Sequence, residues 1–141
     1  MWLFTRYGFF SVTQPTRDNA DAKASELVQV RARMRMHLQA LQARFPAGLA
    51  GEILDSDETD YRYRLIVARG RFERVAAALV NELDYSNFKG ACSRHGAWLG
   101  PGYSHALHQV WTVHHGLQLA PQSAASAKLL PTPSPESSPE G

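Results

Sequence analysis

The sequence predicts an α+β protein, a two-layer sandwich in which a four-stranded, mainly antiparallel sheet carries helices on one face. A ferredoxin-like architecture would satisfy this description. Apolar and polar residues alternate with the two-residue period of a strand over 28–36 and 60–69. Apolar residues recur at helical spacing over 72–83. The chain has 141 residues, which suits one domain. We expect that domain to span 1–120, with a disordered tail rich in Pro, Ser and Ala over 121–141.

Composition excludes several classes of protein. The 15 Lys and Arg residues against 13 Asp and Glu give a net charge of +2, a slight excess that allows anion binding without demanding it. Cys92 is the single cysteine, so an internal disulfide framework is excluded. No apolar run approaches the roughly 20 residues that span a bilayer, and no secretory leader pattern opens the chain. We therefore expect a cytoplasmic protein with no membrane partner and no cofactor.

The residue types of the remaining segments predict the other strands, helices and loops. The aromatic-rich segment 2–12 is interpreted as one strand, with a bulge or close backbone contact at Gly8. A loop is expected over 13–25. The second strand should run to about Arg33 and pass into a helix that ends near Pro46. The later elements, in chain order, are expected to be a short strand at 52–54, an acidic turn at 55–59, strand 60–69, helix 72–83, a helix at 87–95 capped by Ser86, an irregular segment at 96–102, and a helix from Ser104 to about Leu119.

Arginine and tyrosine residues on the two alternating strands give the main functional hypothesis. Arg31 and Arg33 share one strand face by alternation, and so do Arg62 and Arg64. Guanidinium groups bind phosphate bidentately and aromatic rings stack on unpaired bases, so aligned faces would bind single-stranded nucleic acid or another polyanion. The predicted ligand-binding residues on the strands are Arg31, Arg33, Arg62, Arg64, Tyr61 and Tyr63. The alternative is an ordinary solvated sheet face whose arginines pair with Asp57, Glu58 or Asp60.

Two further groups of residues are candidate sites. Asn87 and Lys89 are polar and lie beside aromatic residues, where an anion could be held; the alternative is a plain capped helix start. His105 and His108 lie three residues apart on the predicted last helix and could share a metal, with a third ligand from His95, Cys92, an acidic residue or a partner chain. The alternative is one histidine hydrogen-bonded at the core edge and the other solvated.

Four segments resemble a group of small uncharacterised bacterial proteins. These segments are the opening W-L-F-T-x-Y-G-F-F-S, the D-Y-x-Y-R of 60–64, the Y-S-N-F-K of 85–89, and the H-x-x-H-x-V-W of 105–111. The resemblance covers most of 1–119 and implies no activity, cofactor or partner. It departs at His114 and His115, where the similar proteins tend to carry larger apolar or aromatic residues.

Three hypotheses of different kinds result. The first is a non-enzymatic binding module for a polyanion, with no catalytic residues assigned. The second is a metal-binding or acid–base site at His105 and His108. The third is a protein–protein adaptor that forms a homodimer through a sheet edge or the loop at 98–103.

Overall fold

A computed structural model describes residues 1–15, 24–95 and 97–121 of the chain. The prediction of a disordered tail and most of the predicted 13–25 loop lie outside these residues. No helix of the described chain is both long and apolar enough to cross a membrane.

The fold is α+β, as predicted, with five strands rather than four. The strands are β1 (Trp2–Thr5), β2 (Gly8–Thr13), β3 (Leu27–Ala32), β4 (Leu54–Asp55) and β5 (Tyr63–Ala68). The helices are α1 (Arg35–Arg44), α2 (Arg69–Asn81), α3 (Phe88–His95) and α4 (Pro101–Leu119), with short 3₁₀ turns at Ala24–Glu26 and Ala97–Leu99. The sheet order is β1-β2-β3-β5-β4 and every neighbouring pair is antiparallel. The element order differs from the β-α-β-β-α-β order of ferredoxin-like folds.

The fifth strand arises because the segment predicted as one strand folds back on itself. Its two halves pair as a hairpin around a turn at Arg6 and Tyr7. The hydroxyl of Thr5 closes this turn, since it donates to the carbonyl of Gly8 at 3.0 Å and accepts the N–H of Tyr7 at 3.0 Å. Gly8 has φ +135, and a Cβ there would lie 2.4 Å from Cγ of His37, so the close backbone contact expected at this glycine is present.

One face of the sheet packs against α1 and α2 and forms the main core. Alternation in β3 and β5 directs Val28, Val30, Leu65 and Val67 to this face, as the sequence predicts. Phe10 joins them from β2 and is fully buried. The burial of this face forces the intervening polar residues of the same strands to the other face.

The opposite face is also packed at one end, so helices lie on both sides of the sheet rather than on one. Phe4 and Phe9 contact a second cluster made by Phe88 and Cys92 of α3, the 3₁₀ residue Leu99, and Tyr103 and Leu107 of α4. The hydroxyl of Tyr103 donates to the carbonyl of Thr5 at 2.9 Å. The last helix begins at Pro101 rather than Ser104, because proline is well suited to the first position of a helix.

Chain contacts divide the protein into two compact units, Met1–His108 and a second beginning at Gln109. The described part of the second unit is the C-terminal half of α4 and the two residues after it. Within it, the rings of Trp111 and His115 stack with centroids 4.9 Å apart. Trp111, Val113 and Leu117 are exposed.

Candidate functional site

Five residues form a row across the entire sheet on the face opposite the main core. Arg31 and Arg64 are direct cross-strand partners on β3 and β5, and the register continues from each of them to the two sheet edges. The row consists of Trp2, Ser11, Arg31, Arg64 and Leu54. Four strand spacings make it roughly 19 Å long. Both ends of the row are exposed and both arginines are half-buried.

The two central arginines are held by hydroxyl groups. Nη2 of Arg31 donates to Oγ of Ser11 at 2.8 Å, and Nη2 of Arg64 donates to Oγ1 of Thr59 at 2.7 Å. The Nε of Arg31 and the Nε of Arg64 are both buried and have no hydrogen-bond partner among the described residues. Buried donors are normally satisfied, so two unpartnered guanidinium nitrogens on directly opposed residues are unusual.

Tyr61 lies beside these arginines and is nearly fully buried, with 4% of its surface exposed. The guanidinium carbon of Arg33 is 4.4 Å from the Tyr61 ring centroid, and that of Arg31 is 4.8 Å away. These distances are within the range of cation–π attraction. The Tyr61 hydroxyl is a third buried polar group without a partner in the described chain. We call Arg31, Arg33, Arg64 and Tyr61 the arginine cluster.

No acidic residue of the described chain balances the arginine cluster. The ion pairs in the described ranges are Arg6 with Asp84, Arg44 with Glu82, and Arg62 with Asp55. Asp57, Glu58 and Asp60, the partners of the solvated-face alternative, form no ion pair with the three arginines of the cluster. The cluster therefore presents three positive charges that these neighbouring carboxylates leave uncompensated.

Two predicted members do not join the cluster. Arg62 forms an ion pair with Asp55 at 2.7 Å, which raises the pKa of its guanidinium. Its guanidinium lies 5.6 Å from the ring of Tyr63. Tyr63 pairs with Ala32 in the register and packs on the main core, so it belongs to the other face of the sheet. The strand starts at Tyr63, and strict alternation does not extend back to Tyr61.

Asn87 directly precedes α3 and Lys89 lies in its first turn, so neither belongs to the strands that carry the arginine cluster. The side-chain Oδ1 of Asn87 accepts the N–H of Gly90 at 3.1 Å, so Asn87 caps the helix instead of Ser86. Lys89 is half-buried, and its carbonyl accepts the Ser93 hydroxyl. Asn87 therefore matches the alternative interpretation of this segment, a capped helix start.

His105 and His108 are exposed on the first half of α4. In the described residues no group of three or more His, Cys, Asp or Glu side chains could hold a metal. Cys92 is buried in the second cluster, and burial raises the pKa of its thiol, with Arg6 opposing the shift. A protonated, enclosed thiol is a poor nucleophile, so Cys92 is a core residue rather than a reactive one.

Three members of the row were not predicted from the sequence: Trp2, Ser11 and Leu54. Trp2 is 66% exposed, and its ring meets Phe9 edge-on with centroids 5.5 Å apart. An interpretation of 2–12 as one strand could not place Trp2 beside Ser11. The signal available was the Arg6-Tyr7-Gly8 segment, whose glycine permits the turn that brings them together.

Comparison with models of protein families, with curated proteins and with solved structures found no match. The resemblance to a group of small bacterial proteins thus stays a prediction.

Proposed function

We propose that this protein is a non-enzymatic binding module that takes a phosphate-bearing polyanion on the arginine cluster. The observation that supports this most strongly is the direct opposition of Arg31 and Arg64, each with a buried Nε that lacks a partner. Like charges directly opposite each other destabilise a sheet. A ligand oxygen between them would reverse the sign of that interaction.

The chemistry of the cluster fits phosphate better than a single carboxylate. A guanidinium offers five donors in a planar fork, and it binds the oxygens of phosphate through two parallel hydrogen bonds. One donor of Arg31 is used by Ser11 and one donor of Arg64 is used by Thr59. These hydroxyls fix the guanidinium orientations, because each restrains one end of a flexible side chain. The remaining Nη donors are the ones that a group with several acceptor oxygens would engage.

Partial burial distinguishes this arrangement from a solvated sheet face. Exposed arginines on such a face satisfy their donors with water and contribute little to stability. Arg31 and Arg64 are instead half-buried, and the Tyr61 ring that Arg31 contacts is almost inaccessible to solvent. Reduced solvent contact strengthens the interaction of these charges with a bound anion.

The test is a salt-titrated binding measurement with two probes, inorganic polyphosphate and a single-stranded oligonucleotide of mixed sequence. We expect binding at low ionic strength that weakens linearly with the logarithm of salt concentration. Arg31→Gln and Arg64→Gln should each weaken it by about tenfold and reduce the salt slope by about 1.

Arg71→Gln is the matched control, because it removes the same charge from an exposed position on α2. It should change affinity much less than either substitution in the cluster. Absence of binding to both probes at low ionic strength would reject the proposal. Equal losses for Arg71→Gln and Arg64→Gln would reject the cluster as the site, since only net charge would then matter.

A further inference from the structure

We infer that the polyanion is a single strand of nucleic acid, whose base stacks on Trp2 while the adjoining phosphate binds Arg31. This inference rests on the proposed function and adds the identity of the ligand. It depends on residues outside the arginine cluster, so the two ideas can be separated by experiment.

The register places an exposed aromatic ring one strand away from the Arg31 guanidinium. Trp2 is the direct cross-strand partner of Ser11, on the same face of the sheet. Nη2 of Arg31 donates to Oγ of Ser11 at 2.8 Å, so one end of the guanidinium reaches towards β2, while its central carbon lies 4.8 Å from the Tyr61 ring centroid. Neighbouring strands are about 5 Å apart. A phosphate at this guanidinium therefore brings its attached nucleoside to Trp2.

Trp2 has the properties of a stacking platform. Two-thirds of the Trp2 surface is exposed, so the face of its indole is accessible to a ligand. Phe9 contacts the indole edge-on at 5.5 Å, and Phe9 itself stacks on Phe4 at 4.6 Å. Phe9 and Phe4 are anchored in the second cluster, so the indole is supported from one side while most of its surface stays accessible.

A single strand fits this surface better than a duplex or a polymer of phosphate alone. The bases of a duplex are stacked on each other, whereas an unpaired base offers its face to an aromatic ring. Phosphate-only polymers and lipid head groups carry no base, so they would use Arg31 and Arg64 but not Trp2. The row is exposed at Trp2 and Leu54, half-buried at its two arginines and buried at Ser11. Its length of roughly 19 Å would span more than one nucleotide.

The experiment compares three probes on the full chain: a single-stranded oligonucleotide of about 12 nucleotides, the corresponding duplex, and inorganic polyphosphate. Trp2→Ala should weaken binding to the single strand by about tenfold. Its affinity for polyphosphate should not change. Trp2→Phe should retain most of the single-strand affinity, because it keeps a ring. Trp111→Ala, which removes an exposed indole from the second unit, is the control and should bind all probes as the unmodified chain does.

Fluorescence provides a second readout that does not depend on truncating Trp2. In a variant with Trp98→Phe and Trp111→Phe, Trp2 is the one remaining indole of the chain. Single strands should quench its emission and polyphosphate should not. Equal loss of both ligands in Trp2→Ala, equal affinity for single strand and duplex, or an unquenched indole would overturn the inference and leave the polyanion proposal standing. Failure of every probe to bind would remove both.

Discussion

Arg31 and Arg64 face each other across β3 and β5, and no carboxylate of residues 1–15, 24–95 or 97–121 pairs with either of them. The adjacent register pair on the other face, Val30 with Leu65, lies in the main core. The same two strands thus combine a well-packed apolar face with a polar face that carries opposed like charges. Such local conflict is a feature of functional surfaces, where stability is given up for binding.

Arg64→Gln should stabilise the ligand-free protein while it weakens polyanion binding. Removing one of two directly opposed charges should raise the free energy of unfolding by about 0.2–1 kcal/mol at low ionic strength. The gain should shrink as salt is added, because salt screens the repulsion that it relieves. Urea unfolding at two salt concentrations measures this, with Arg71→Gln as the control. A variant that is less stable than the unmodified chain at low salt would contradict the prediction.

Tyr61→Phe and Tyr103→Phe should have opposite effects on stability. The hydroxyl of Tyr61 is buried without a partner in the described chain, so its removal should stabilise the protein by about 1 kcal/mol. The hydroxyl of Tyr103 donates to the carbonyl of Thr5 at 2.9 Å, so its removal should destabilise by about 1 kcal/mol. Both substitutions delete one oxygen from a buried tyrosine, which makes each the control for the other. Equal effects of the same sign would show that the two hydroxyls have equivalent surroundings.

The alternation in β3 predicted the faces of this strand and the placement of Arg31 correctly. Its apolar residues must be buried, and a two-residue period leaves a single way to do so. The same rule worked for β5 from Tyr63 onward and failed before it. At that point the Thr59 hydroxyl donates to the carbonyl of Tyr61 at 2.9 Å, and the N–H of Ser56 donates to the carbonyl of Arg62. These hydrogen bonds belong to the hairpin turn, whose backbone does not follow strand alternation.

The failure at the N-terminus has a different cause. A run of aromatic residues predicts a strand but carries no information about where that strand turns. The position of Trp2 depends on a hairpin that a side-chain hydroxyl and a glycine at φ +135 make possible. The sequence pattern also did not predict helices on the second face of the sheet. In α4 the buried residues are Tyr103 and Leu107, and the second half of the helix is largely exposed, so its buried residues form no long apolar stripe that would indicate packing on the sheet.

Gly8→Ala should destabilise the protein by about 2 kcal/mol or more. A Cβ at this position would lie 2.4 Å from Cγ of His37, and the backbone has φ +135, which side chains other than glycine rarely adopt. Gly116→Ala is the matched control, since nothing lies within 4 Å of its added Cβ and it is helical. That change should stabilise by about 0.5–1 kcal/mol. Thermal unfolding of the two variants measures both changes in stability. A Gly8→Ala variant as stable as the unmodified chain would contradict the predicted destabilisation.

His37 should make the protein less stable in mild acid. Burial lowers the pKa of this histidine below its ordinary 6.5, and the N–H of Phe9 donates to its Nδ1. Below about pH 6.5 the unfolded chain takes up a proton at this residue while the folded chain does not. The stabilisation is therefore complete above pH 6.5 and is lost as the pH falls, by at most about 1.4 kcal/mol per pH unit.

The measurement is the free energy of unfolding in urea between about pH 7.5 and pH 5.5. His37→Asn removes the titrating group and keeps an acceptor for the Phe9 N–H, so its stability should vary less over this range. His105→Asn alters an exposed histidine and should retain the pH dependence of the unmodified chain. If the free energy of unfolding of His37→Asn depends on pH as strongly as that of the unmodified chain, groups other than His37 cause the acid sensitivity.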